Sequence, residues 1–99
     1  MVINKIVWDK EAIQQFVKII AFIKKDSIQN AEHVQLLLQQ KLAELPKHPQ
    51  KYPPDKYKLN NDGRFRAFTL FHYRISYYIA KQEIIILSIR HTKMLPKQY

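Results

Sequence analysis

The apolar residues of this 99-residue chain change their spacing once, across a segment (residues 46–63) that holds four of the five prolines and the only glycine. Before that segment the spacing is helical. Ala12, Ile13, Phe16, Val17, Ile19, Ile20 and Ile23 recur at three and four residues, and Ile28, Ala31, Val34, Leu37, Leu38, Leu42 and Leu45 continue the repeat. Asp9 and Ser27 stand where N-caps are needed, Lys24 and Lys25 put cations near the carbonyl end of the first helix, and Pro46 stops the second. So little chain separates the two that they are predicted to form an antiparallel hairpin.

After Gly63 the spacing is that of strands. Arg64 to Phe71 sets Arg64, Arg66, Phe68 and Leu70 on one side and Phe65, Ala67, Thr69 and Phe71 on the other. Tyr73 to Ala80 sets Tyr73, Ile75, Tyr77 and Ile79 against Arg74, Ser76 and Tyr78, and Glu83 to His91 is an almost wholly apolar run, which suits a central strand buried on both faces. Ile3 to Trp8, short and rich in β-branched residues, reads as a first strand. The predicted order is β-α-α-β-β-β: an α+β fold, one domain over residues 1–99, with an antiparallel sheet and the N-terminal helical hairpin packed on one face. An 18-residue connection is long for a compact domain. It is not a linker, because the 36 residues that follow are too few for a second domain. Tyr52, Pro53 and Pro54 are expected to pin it to the body.

Charge divides at the same place. Seven lysines face five carboxylates in residues 1–50, a net of +2, whereas residues 51–99 hold ten Lys and Arg, including all four Arg, against three carboxylates, a net of +7. Arginine suits planar contact with phosphate or carboxylate, so this half is expected to meet a polyanionic partner. Arg74, Ser76 and Tyr78, with some of Arg64, Arg66 and Arg90, form the basic and aromatic face such a partner would use, and Lys56 and Lys58 lie just before it.

His91, at the end of the last apolar run, is a candidate general acid or base, with a structural hydrogen bond as the alternative. Arg74 is a candidate for stabilising a pentacoordinate phosphate, with an ion pair to Glu83 or Asp62 as the alternative. Asp55 and Asp62 read as turn formers. Cysteine is absent, which excludes disulfides, thiolate zinc sites and cysteine nucleophiles and fits a reducing, cytoplasmic setting. His33, His48 and His72 have no metal-ligand spacing, one glycine allows no phosphate loop, and no serine sits in a nucleophile elbow, so neither metal nor cofactor is assigned. No stretch approaches the roughly 20 apolar residues of a membrane span, and Met1 to Trp8 lacks the apolar core of a signal peptide.

The whole layout resembles the RelE/ParE superfamily of bacterial toxins from type II toxin–antitoxin modules. The likeness rests on VW closing the first strand, the helical hairpin, the basic loop, Tyr73-Arg74-Ile75 with Tyr77, and Ile89-Arg90-His91 followed by Lys93 and Pro96. In the RelE branch such proteins cleave ribosome-bound mRNA. There the resemblance implies Arg74 as the strand arginine, Arg90 or His91 as groups at the end of the last strand, and Lys56, Lys58, Arg64, Arg66 and Lys93 as RNA contacts. The tyrosine many members carry soon after this point has only Tyr99 as a counterpart. Members of the ParE branch poison DNA gyrase without that constellation, and the His-x-Lys-x-x-Pro ending (91–96) is similar to theirs. The function expected from the sequence is therefore a growth-inhibiting toxin that acts as a ribosome-dependent ribonuclease and is neutralised by a cognate acidic antitoxin that folds on binding. Gyrase inhibition, or a non-toxic nucleic-acid-binding module, is the alternative.

Overall fold

In the computed structural model, which describes residues 5–94 and 98–99, the elements follow the predicted order. They are β1 (Lys5–Trp8), α1 (Lys10–Asp26), α2 (Ile28–Glu44), β2 (Phe65–Leu70), β3 (Tyr73–Ile79) and β4 (Glu83–His91). Ile3 and Asn4 of the expected first strand, and Leu95 and Pro96 of the closing motif, lie outside the described residues.

One residue separates the helices. The Ser27 N–H caps α1 on the Ile23 carbonyl at 3.0 Å, while its hydroxyl accepts the Asn30 N–H at 3.1 Å to open α2. Asp9 precedes α1 but its side chain makes no capping hydrogen bond. The helices bury Ala12, Leu38, Leu42 and Leu45 against Phe68, Ile75, Tyr77, Ile84, Ile86 and Ile89 of the sheet, with Trp8 and Phe16 packed beside them at 5.3 Å.

The sheet order is β1-β4-β3-β2. The pairs β2–β3 and β3–β4 are antiparallel, as their short connections require, but β1 runs parallel to β4 (Lys5 opposite Glu83, Trp8 opposite Ile86), so the sheet is mixed rather than wholly antiparallel. No hairpin joins β1 to β4. Both helices and two strands intervene, so the orientation of β1 is set by where α1 must start, and the Asp9 N–H closes on the Ile86 carbonyl at 2.9 Å.

β4 is central, as expected, but it is not buried on both faces. Its alternation is shifted midway: Ser76 lies opposite Ser88 and Tyr77 opposite Ile86, which leaves Leu87 as an extra residue, a β-bulge. With that insertion Ile84, Ile86 and Ile89 all reach the core while Ser88 and Arg90 face away from the helices, where a strict period of two would send Ile86, Ser88 and Arg90 the same way.

Residues 46–63 are pinned to the body. Tyr52 stacks on Phe68 with ring centroids 4.4 Å apart, the buried Tyr77 hydroxyl donates to the Pro49 carbonyl at 2.8 Å, and Pro54 bridges to Arg66 along the free edge of β2. Before β2 the chain reverses at Gly63 (φ +96°), a conformation side-chain-bearing residues rarely adopt, and Asn61 Oδ1 holds that turn by accepting the Gly63 and Phe65 N–H groups.

Candidate functional site

On the face away from the helices the sheet floors a cleft of about 440 Å³. Asp9 before α1 and Glu11 and Gln15 of α1 line one side, the loop supplies Asp55 and Tyr57, and the strands supply Phe65, Thr69, Arg74, Ser76, Ser88 and Arg90. Strand register explains the grouping. Thr69, Arg74 and Arg90 form one cross-strand row, and Ala67, Ser76 and Ser88 form the next.

Arg74 Nη2 donates to Asp55 Oδ1 at 2.7 Å, and its guanidinium lies 4.9 Å from the centre of the Tyr57 ring. Asp55 is 3% exposed. The Tyr57 N–H reaches the same Oδ1 at 3.0 Å, and the Tyr99 hydroxyl donates to Oδ2 at 2.6 Å. Burial alone would raise the Asp55 carboxyl, but the donors from Tyr99, Tyr57 and Arg74 outweigh it and hold the group below its ordinary range. Burial, and then donation to Asp55, push the Tyr99 phenol well above its ordinary value. It is a donor here, not a base. The backbone of Tyr99 is fixed as well, donating to the Tyr57 carbonyl at 3.1 Å and accepting the Leu59 N–H at 2.6 Å.

Of the residues singled out in the sequence, Arg74 and Arg90 stand side by side on the open face. His91 borders the cleft, but its ring stacks on His72 at 6.0 Å and meets Tyr73 edge-on at 5.4 Å, and its Nδ1 accepts the Lys93 N–H at 3.0 Å. Arg66 is on the helix-side face of β2. It clamps the loop, donating to the carbonyls of Tyr52 at 2.7 Å and Gly63 at 2.8 Å. Arg64 pairs with Asp62 at 3.6 Å and reaches the Tyr78 hydroxyl at 3.4 Å. Lys58 lies over Phe65 and Tyr99, Lys56 over Tyr57, and Lys93 is exposed beyond β4. The loop lysines and Lys93 therefore rim the cleft without entering it.

The partner of Arg74 is Asp55, not Glu83 or Asp62, which pair with Lys5 and Arg64. Asp55, expected only as a turn former, is the buried counter-ion of Arg74, and Tyr57, expected with Lys56 and Lys58 as a solvated segment able to grip phosphates, lies against that guanidinium instead. A signal was present: three carboxylates among ten cations after residue 50 leave each acid in demand, and Asp55 follows two prolines that fix its approach. The cleft is also not as cationic as this half of the chain. Asp9, Glu11 and Asp55 line it against Arg74 and Arg90, with His91 at its border. Among the described residues no group of three or more His, Asp or Glu is placed to hold a metal ion, and no helix is long and apolar enough to cross a membrane.

Compared with known proteins, residues 6–96 match the family model described as "ParE toxin of type II toxin-antitoxin system, parDE". No curated protein matches significantly. Among solved structures the chain is similar to one from the chromosomal ParDE TA system of P. aeruginosa, with a TM-score of 0.68 over 91% of this chain and 96% of that one. At 14% identity what the two share is the fold.

Proposed function

The chain belongs to the ParE family of toxins of type II toxin–antitoxin systems, and from that premise we propose that it arrests growth by binding and inhibiting DNA gyrase rather than by cutting mRNA. The observation that carries this reading is the Arg74–Asp55 pair at 2.7 Å, with Tyr99 on the other carboxylate oxygen. A ribonuclease of this fold needs a guanidinium free to meet the developing charge on phosphorus and acid–base groups within reach of the same phosphate. Here the guanidinium is partly neutralised by a buried carboxylate. The phenol is committed as a donor to that carboxylate, and the His91 ring packs against His72 and Tyr73.

The lining argues the same way. Three carboxylates against two guanidinium groups make a poor channel for a polyanion but an ordinary one for a protein segment. A cognate antitoxin encoded beside the toxin, and action in the cytoplasm, complete the proposal. The net charge of +9 favours an acidic antitoxin.

Brief induction of the chain in bacteria tests the reading. Gyrase inhibition predicts DNA breaks and filamentous cells while full-length transcripts persist. Messages cut at codon boundaries, with chromosomes intact, would move the chain to the ribonuclease branch.

A further inference from the structure

Arg74 and Arg90 are direct cross-strand neighbours on the open face. Like charges placed opposite each other cost stability in a sheet, so the pair calls for an explanation. Asp55 compensates Arg74, whereas Arg90 has no ion-pair or hydrogen-bond partner among the described residues. The surroundings supply a further donor. Ser76 and Ser88 hydrogen-bond to each other through their hydroxyls, and the Thr69 hydroxyl lies in the same row as both arginines. Ala67, beside Ser76, keeps the floor low.

We propose that Arg90, with the free edge of Arg74 and the Thr69 hydroxyl, is a subsite for a single carboxylate, the Asp or Glu side chain of a protein partner. A carboxylate there would meet two guanidinium groups in the forked geometry arginine offers and would relieve their mutual repulsion. A nucleic-acid backbone fits less well, because its successive phosphates would have to pass Asp9 and Glu11 on the α1 side of the cleft. The proposal rests on the reading of this chain as a binder of proteins, but it does not depend on which protein is bound.

The test is NMR of the arginine side-chain Nε–H signals in the folded chain, titrated separately with N-acetylated, C-terminally amidated Ala-Glu-Ala, the same capped Ala-Gln-Ala, and hexauridylate. The Glu peptide should shift both Arg74 and Arg90 saturably, with an affinity at least about fivefold above that of the Gln peptide. In Arg90→Gln the Arg74 shift should weaken by a similar factor. That variant should also melt about 2 °C higher, as expected when roughly 0.3 kcal/mol of like-charge repulsion is removed from a domain this small. Equal responses to the Glu and Gln peptides, tighter saturable binding of hexauridylate, or a melting temperature lowered in Arg90→Gln would each overturn the subsite. Gyrase inhibition is read separately, so a chain that inhibits gyrase but ignores the Glu peptide loses the subsite alone, and one that binds the peptide but spares gyrase loses only the target.

Discussion

The Asp55 carboxylate lies 2.7 Å from the Arg74 guanidinium across nineteen residues of sequence, and it ties the proline-rich loop to the middle of the sheet. Oδ1 serves Arg74 and the Tyr57 N–H, while Oδ2 serves Tyr99. One buried acid thus joins the loop, β3 and the Tyr99 hydroxyl. Its main-chain N–H also extends the β2 edge by donating to the Phe65 carbonyl at 2.7 Å.

Replacing Asp55 with Asn keeps the shape but leaves a cation without its counter-ion and gives two strong donors poorer acceptors. Breaking a fully buried pair costs roughly 3–5 kcal/mol. The Arg74 side chain is 29% exposed and partly solvated, so the expected loss is about 2 kcal/mol. Urea denaturation measures it. A loss below about 0.5 kcal/mol would mean that the pair does not hold the loop.

The same group sets an acid limb. Because the Asp55 carboxyl is lowered in the folded chain, its contribution is present above the ordinary carboxylate pKa near 4 and is lost as pH falls from there through the folded value. Unfolding free energy should therefore fall below about pH 4, and less steeply in Asp55→Asn. At the other end Tyr77, pushed up to about 12 chiefly by burial, and Tyr99, pushed higher, keep protons that the unfolded chain gives up near pH 10. Stability should decline as pH rises above about 10, and Tyr99→Phe should make that decline shallower. Equal alkaline slopes in wild type and Tyr99→Phe would show that the phenol is not held as described.

Leu87 is the extra residue of the β4 bulge. Deleting one residue from a regular strand reverses every side chain beyond the cut. Here the deletion should do the opposite, joining Ile86 directly to Ser88 opposite Tyr77 and Ser76 and leaving Ile89 in the core. The variant lacking Leu87 is predicted to fold with the wild-type circular dichroism spectrum, while deletion of Ile85 should not fold. An unfolded Leu87 deletion would contradict the bulge assignment.

Much of this architecture was legible in the sequence because periodicity reports burial directly. Ala12 to Ile23 and Ile28 to Leu45 could lie only on helix faces, and Tyr73 to Ile79 placed Ile75 and Tyr77 inside with Arg74 outside, as they stand. The direction of β1 was not legible, since four residues carry no signal of their partner, and neither was the bulge, because every residue from Ile84 to Leu87 is apolar whichever way it points. The site was legible by half. Arg74 and Arg90 stood out by composition, but the Asp55 contact links residues nineteen apart through a loop without periodicity. Arg66 looked like a companion of Arg74, and its strand register turns it to the other face.

On the proposed reading this toxin binds gyrase and does not cleave RNA. Purified DNA gyrase supercoiling relaxed plasmid, with and without the purified chain, tests it most directly, alongside translating ribosomes given the same protein. Supercoiling should stop, or cleaved plasmid accumulate, while the messenger on the ribosomes remains whole. Unimpaired supercoiling together with cut messenger would contradict it.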